Sequence, residues 1–253
     1  MIYDVNRLSA LLPKKISTLR AFDSIDSTSS EARRYSVGGG RGTALFLSDR
    51  QSAGRGRVGR SFYSPGGAGV YMSLLLSAPE RSSDLVLLTS AAAVAVRRAI
   101  FKVTGISVGI KWVNDLYYKD KKVCGILCEY LPEQRAIIIG VGVNLYTSEL
   151  PEEISDVAGA LLDSQSDGSM REALVVAITE ELLATVDGLS EGGFMDEYRE
   201  SSIVLGKEID YIQNGVSHSG IATHVDGQGY LHVCDGQGRT HILSSGEISV
   251  RFK

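Results

Sequence analysis

Between two strand-like runs, Thr43-Ala44-Leu45-Phe46-Leu47 and Val70-Tyr71-Met72-Ser73-Leu74-Leu75, lies a segment in which three glycines alternate with three arginines. It reads Gln51-Ser52-Ala53-Gly54-Arg55-Gly56-Arg57-Val58-Gly59-Arg60-Ser61-Phe62. Glycine gives a bare backbone that tolerates positive φ and close approach to a ligand. Arginine gives a fixed charge and a forked donor suited to phosphate or carboxylate. The glycine spacing also fits a dinucleotide fingerprint, and a phosphate loop whose lysine is replaced by Arg60. Both of those need the glycines to open a helix, so that its N-terminus meets the phosphate. Here Ser64-Pro65-Gly66-Gly67 follows, which breaks a helix, and the chain passes into another strand. The order strand, loop, strand therefore excludes both nucleotide folds. It points to a cationic flap that closes over an anion and orders as it closes.

The 253 residues are enough for one large domain, or a large one with a small companion. A formal net charge of −4 argues against a surface built for nucleic acid. The charge is unevenly spread. Arg41, Arg50, Arg55, Arg57 and Arg60 meet only Asp49 in their stretch, whereas residues 149–200 hold fourteen acidic residues against Arg171 and Arg199. That acidic run reads as solvated helix faces. Three cysteines do not suit a secreted disulfide framework. Cys124 and Cys128, four strand steps of roughly 3.3 Å apart, are too distant to bridge and read as buried thiols. The opening residues have neither a basic start nor an apolar run, and the most apolar stretch, Leu85 to Val96, is too short to span a bilayer. A cytoplasmic protein with no membrane association is expected.

Taken in order, the first twenty residues are weakly patterned and read as an extension. Ala21 to Ile25 is a strand, and the hydroxyl cluster Ser27-Thr28-Ser29-Ser30 before Glu31 starts a helix, with a capping box between Thr28 and Glu31. Four hydroxyls exceed what a cap needs, and with free N–H groups they suit a polar ligand. Ser82-Ser83-Asp84 caps a long helix to about Val103. A strand then delivers Lys111 among apolar neighbours, before the turn residues Asn114-Asp115. Gly125 to Glu129 and Ala136 to Asn144 form two antiparallel core strands joined near Pro132. Helices follow from Gly168 to Val186 and around Phe194 to Ile203. Beyond Leu205, Asn214-Gly215 and two copies of Asp-Gly-Gln-Gly mark hairpin turns, giving about five strands and a small barrel. His218, His224, His232 and His241 all lie in this tail at spacings that fit no metal motif.

Six short motifs in this order resemble the biotin protein ligases from about Ala21 onward. They are Asp26-Ser27-Thr28, the arginine–glycine loop, Lys111-Trp112-x-Asn114-Asp115-Leu116, Gly125-Ile126-Leu127-x-Glu129, Gly140-x-Gly142-x-Asn144 and Gly246-Glu247-Ile248-Ser249. The resemblance implies an α+β fold: a mixed or antiparallel sheet with helices packed on it, like class II aminoacyl-tRNA synthetases and the biotin/lipoate ligases. A small C-terminal SH3-like β-barrel would follow. The implied domains are an N-terminal extension (1–20), a catalytic ligase domain (21–204) and an SH3-like domain (205–253), without the DNA-binding domain of repressor-type members.

The reaction implied by that resemblance joins the biotin carboxylate to the α-phosphate of ATP, releasing pyrophosphate, and then transfers biotin to a lysine of a biotin carboxyl carrier protein or domain. Two anions must meet, so concentrated positive charge is needed in a water-poor pocket. Lys111 and Arg57 are the implied catalytic groups, with Mg²⁺ on the triphosphate. The implied biotin site is Ser27, Thr28, Ser29, Gln51, Gly54, Arg55, Lys111 and Gly125. The implied ATP site is Arg55, Arg57, Arg60, Phe62, Lys111, Asn114, Gly142, Val143 and Asn144. The residues do not name the metal ligands, and a monomer and a homodimer both remain open.

Three positions depart from the family pattern. Ser29 stands for an asparagine, Phe62 for a tryptophan, and Val113 for a proline whose absence is expected to loosen the turn after Lys111. A lipoate or octanoate ligase or transferase of the same fold, and a non-catalytic sensor of biotin or its adenylate, are the competing readings. The flap's role predicts that Arg57→Gly still forms adenylate but lets it escape. Release of free intermediate no faster than from the parent would count against that role.

Overall fold

The computed structural model describes residues 3–78, 84–164, 169–213, 215–244 and 248–250. Ser82, Ser83, Gly168, Asn214, Gly246 and Glu247, all named above, lie outside the described residues.

The chain opens with α1 (Val5–Leu11), β1 (Ile16–Ile25), α2 (Thr28–Val37) and β2 (Thr43–Gln51). It continues through β3 (Gly69–Ser77), α3 (Asp84–Thr104), β4 (Gly109–Lys111), β5 (Asp115–Tyr118), β6 (Lys121–Leu131) and β7 (Ala136–Asn144). Then come α4 (Glu152–Ser155), α5 (Ser169–Asp187) and α6 (Met195–Glu200). The tail supplies β8 (Glu208–Gln213), β9 (Val216–Val225), β10 (Leu231–Cys234), β11 (Thr240–Leu243) and β12 (Ile248–Val250).

A seven-stranded mixed sheet runs in the order β1-β2-β3-β7-β6-β5-β4, and the five tail strands form a second sheet, β11-β10-β9-β8-β12. Only β1 and β2 pair in parallel in the first sheet, and every pair in the second is antiparallel. This is the expected α+β class, with the tail matching the expected SH3-like domain.

Within the expected N-terminal extension, residues 3–12 are packed onto the fold. Asp4 caps α1 by accepting from the Arg7 N–H at 3.0 Å, and Tyr3, Leu8 and Leu12 are buried in the main core. Seven residues, about two helical turns, carry too little periodicity to be read alone. The cap of α2 also differs from expectation. Ser27, not Thr28, caps the helix, and Glu31 turns outward to pair with Arg20 and Arg34.

Strand alternation decides what each face of the sheet can do, since successive side chains point to opposite faces. On one face, Leu45 and Leu47 of β2, Met72 and Leu74 of β3, and Ile137, Ile139, Val141 and Val143 of β7 join the main core, which also takes up residues of α3 and α5. On the other face, Ala44, Phe46, Leu75, Leu131 and Ile138 pack with Ala32 of α2 in a smaller core. Farther along that second face the side chains become small, at Ser73, Gly125, Gly140 and Gly142. The helix covers the bulky part, and the small part lies open to a cleft.

Two expectations about charge and sulfur change in detail. Arg171 and Glu172, within the acidic stretch read as solvated, are both buried on α5. Cys124 and Cys128 are free thiols, as is Cys234. Cys124 is fully buried and Cys128 partly so. Burial pushes the Cys128 thiol up to about 12.

In the tail, the repeated Asp-Gly-Gln-Gly is a repeated side-chain-closed turn. Asp226 Oδ1 accepts from the N–H groups of Gln228 and Tyr230, and its Oδ2 lies 3.0 Å from His232 Nε2. Asp235 does the same with Gln237, Arg239 and His241. The first turn also touches the larger sheet, because Trp112 Nε1 donates to the Gly229 carbonyl at 3.0 Å.

The smaller core should be separately vulnerable. Phe46 is fully buried there and meets Tyr35 edge-on at 5.5 Å. Phe46→Ala is expected to cost about 3–5 kcal/mol in urea or thermal unfolding.

Candidate active site

The open part of the second sheet face is the floor of a cavity of about 960 Å³. That is at the upper end of the range for small-molecule sites, roughly 300–1,000 Å³. The floor exists because three residues lack side chains. A Cβ on Gly142 would lie 2.5 Å from the Phe62 ring, one on Gly125 3.1 Å from it, and one on Gly140 2.6 Å from Ser29 Oγ. Phe62 therefore lies flat on ground that only glycine leaves free, with its edge toward Tyr71 at 6.4 Å.

One end of the cavity is neutral and rich in hydrogen-bonding groups. Gln51 Oε1 accepts from the Thr28 N–H at 2.8 Å, and Gln51 Nε2 donates to Ser64 Oγ at 2.9 Å. Ser73 Oγ, fully buried on β3, sits 2.8 Å from Thr28 Oγ1 and 2.9 Å from Ser29 Oγ. The hydroxyls beyond the cap therefore form a fixed polar cradle at the helix start. Ser73 and Ser64, both buried, hold it from behind, and sequence reading missed both because each is an ordinary serine within a strand or turn. Ser29 fills the space beside Gly140 and bonds to Ser73.

The arginine–glycine segment is a narrow hairpin. Gln51 and Ser64 face each other as an antiparallel bridge, Phe62 N–H donates to Gly54 O at 2.9 Å, and Gly56 N–H donates to Arg60 O at 2.7 Å. Arg57 to Gly59 forms a single 3₁₀ turn at the tip. Gly54 is needed at the base, where a Cβ would lie 2.3 Å from the Phe62 carbonyl. It does not line the cavity, and its side of the hairpin is packed.

The other end is cationic. Arg55, Arg57, Arg60, Lys111, Lys121 and Lys122 line the cavity, with Asp115 the acidic side chain among the described lining residues. Arg57 Nη1 donates to Asn114 Oδ1 at 3.2 Å, while Asn114 Nδ2 donates to the Ile126 carbonyl at 2.8 Å. The turn after Lys111, expected to be loosened by Val113, is held by this amide and by the Tyr198 hydroxyl donating to Val113 O at 3.2 Å. Arg55 is forked onto Glu129, at 2.8 and 3.0 Å, and Arg33 reaches the same carboxylate.

Lys121 Nζ is turned to the Ser155 carbonyl at 2.9 Å, and the other two lysines bear on the floor and its edge. Lys111 Nζ stands 3.4 Å from the Tyr117 hydroxyl and 5.3 Å from its ring centre. Burial, with Asp115 adding to it, pushes the Tyr117 phenol up to about 12, so it stays neutral. Lys122 Nζ pairs with Asp115 Oδ2 at 2.8 Å and lies 3.3 Å from the Cβ position of Gly125, on the floor beside Phe62. Sequence reading named Lys111 and missed Lys122. What sets Tyr117 opposite Lys122 is a register shift within the β5–β6 hairpin, which residue type does not announce.

Of the remaining expected residues, Asn144 lines the cavity and its Nδ2 donates to Gly159 O at 3.0 Å. The side chain of Val143 points the other way, into the main core, so only its backbone faces the site.

Residues 22–144 match the biotin/lipoate A/B protein ligase family. That match spans just under half of the chain. Among relatives, it is 38% identical over 151 residues to the bifunctional ligase/repressor BirA of Bacillus spizizenii, across 58% of this chain and 46% of the relative. The chain thus spans about half the length of that relative. It is 28% identical over 211 residues to a biotin–[acetyl-CoA-carboxylase] ligase of Mycobacterium tuberculosis, across 81% of this chain and 77% of that one. A biotin protein ligase from Aquifex aeolicus, solved in complex with biotin and ATP, has a TM-score of 0.78 at 27% identity, covering 94% of this chain and all of the other. The matched family segment ends at Asn144 and contains the cradle, the hairpin, both lysines and the glycine floor.

If glycine is what seats Phe62, Gly142→Ala must lift the ring off the floor. Loss of close contacts between Phe62 and Gly125 in a crystal structure, or in nuclear Overhauser spectra, checks this. A ring left in place would show that the floor tolerates a methyl group.

Proposed function

We propose that the chain is an ATP-dependent biotin protein ligase acting on a biotin carboxyl carrier protein or domain. The observation that carries the reading is one continuous cavity with a neutral polar cradle at one end, a cationic end opposite and, between them, a glycine floor that seats Phe62. A neutral ureido ring suits Ser27, Thr28, Ser29 and Gln51, with Ser73 holding two of the hydroxyls from behind, and the carboxylate tail would run past Phe62 and Gly125 toward the charges. Adenine would stack on Phe62 near Gly142 and Asn144, with Arg57 and Arg60 on the phosphates.

In the first step a carboxylate oxygen of biotin bonds to the α-phosphorus and the bond to the β-phosphate bridge breaks, so pyrophosphate leaves. In the second step the neutral amine of the acceptor lysine attacks the acyl carbon, an amide forms and AMP leaves. Fixed cations lower the barrier of the first step because charge accumulates where the two anions meet. The cover provided by Phe62 and the hairpin limits hydrolysis of the mixed anhydride.

Lys122 is better placed than Lys111 to hold the carboxylate beside the α-phosphate. Its ammonium sits on the floor and is oriented by Asp115. Lys111 stands against Tyr117 and would reach an outer phosphate or the ribose side. Asp115 also bears on Mg²⁺. Its Oδ1 is buried without a hydrogen-bond partner, and no group of three potential metal-binding side chains occurs among the described residues. A single carboxylate suits an ion that arrives on a triphosphate and keeps most of its water. Bound there, the ion would neutralise phosphate charge.

Biotin-dependent release of pyrophosphate from ATP, with lipoate as the competing acid, tests the first step. Transfer of labelled biotin to a carrier-domain fragment tests the second. Lys122→Ala is expected to lower adenylate formation by about a hundredfold or more, and Lys111→Ala by distinctly less. The reverse order would return the central role to Lys111, and pyrophosphate release supported by lipoate alone would overturn the reading.

A further inference from the structure

Behind the hairpin, on the side away from the cavity, lies a buried charge cluster that the proposed reaction does not use. Asp49, the penultimate residue but one of β2, directly precedes Arg50 and Gln51. Its Oδ1 accepts from the Gly67 N–H at 2.9 Å and from Arg171 Nη1 at 2.9 Å. One carboxylate oxygen thus joins the chain entering the loop to the chain leaving it, and ties both to α5. Gly66 makes the approach possible, since a Cβ there would lie 2.9 Å from Asp49 Oδ2. The Arg171 side chain is 3% exposed, and its Nε and Nη2 have no hydrogen-bond partner.

We propose that Arg171 is a positioning residue for the cationic hairpin, acting through Asp49. This rests on the ligase reading, since it assigns the hairpin the task of covering an adenylate. A guanidinium so deeply buried has no water to stabilise it, so separating it from Asp49 leaves an uncompensated charge. Asp49 cannot swing away, and the two stems cannot part, without that cost. The Tyr71 hydroxyl adds a second pin by donating to Pro65 O at 3.0 Å. Glu172, next to Arg171, belongs to the same cluster and is held by the Asp4 N–H and by Arg7 from the N-terminal turn. The stems are therefore fixed, and the freedom of the hairpin is confined to residues beyond Gln51 and before Ser64. Closure becomes a movement of the tip that carries Arg57 and Arg60.

The test uses the full chain with Arg171→Leu, Arg171→Lys and Asp49→Asn. Hydrogen exchange is read at Gly67 and at residues 54–62, with β7 as the internal reference, alongside escape of adenylate during single turnover with biotin and ATP. Arg171→Leu and Asp49→Asn are each expected to speed exchange at those amides and adenylate escape by about tenfold, with β7 protected as before. Arg171→Lys, which keeps a charge for Asp49, should restore most of both. Asp49→Asn keeps an acceptor for Gly67 and so remains informative if Arg171→Leu does not fold. Parent-like exchange at 54–62, or an equal rise in β7, would overturn the assignment and leave Arg171 a stability residue. A parent without biotin-dependent pyrophosphate release would overturn the ligase reading instead, and the exchange experiment would still decide whether Arg171 holds the loop.

Discussion

Everything in the site depends on a change of side-chain size along one face of β7 and its neighbours. Ile138 faces α2 and is fully buried, whereas Gly140 and Gly142, the next residues on that face, carry nothing. Leu75 and Ser73 repeat the change on β3, and Gly125, opposite Gly142, carries the bare ground onto β6. A strand alternates strictly, so the opposite face can keep Ile137, Ile139, Val141 and Val143 in an unbroken core. The sheet is thereby stabilised from behind while its front is opened. The cavity is not a hole in the core, and it weakens little of what holds the strands together.

Charge is arranged around this floor with equal economy. The cavity brings six basic side chains together against one carboxylate, which in the absence of an anionic partner favours expansion of the site. Local structure opposes that tendency. Glu129 holds Arg55 and Arg33, Asp115 holds Lys122, and Asn114 holds Arg57. Each partner approaches from a strand or turn of the rigid sheet, so the cations are held in place before any ligand contributes. The buried pair of Arg171 and Asp49 extends the same logic to the backbone of the hairpin.

The smaller C-terminal sheet meets the site at Ile248 of β12, which lines the cavity, and at the residue that follows β4. Trp112 is buried between Lys111 and the cis peptide to Val113, and its indole N–H ends on a turn of the other sheet. Arg199 donates to Val225 O at 2.7 Å beside that turn. The orientation of the strand bearing Lys111 is thus shared between two sheets. The Asp-Gly-Gln-Gly repeat, which has no chemical role on its own, supplies the turn geometry that makes the junction.

Local signals were enough for much of this. Alternation, helix period, the hairpin turn signals and the helix-breaking Ser64-Pro65-Gly66-Gly67 gave most strands and helices, the five-stranded tail and a cationic loop between strands, while the family resemblance supplied the α+β class. They also gave the hydroxyl cluster before α2, the charged residues of the loop and the glycines of β6 and β7, because each depends on residue type and near neighbours. What they could not give depends on register and burial. Lys122 reaches the site because a register shift in the β5–β6 hairpin turns it toward Gly125, and Val143 leaves it because of the face on which its strand falls. The same holds for Tyr3 and Leu8, which look unremarkable in sequence and are core in the fold, and for Arg171, which looks solvated and is buried against Asp49. Residue type along the chain determined which chemistry was present. The pairing of strands far apart in sequence decided which side chains share one small volume, and no local pattern records that pairing.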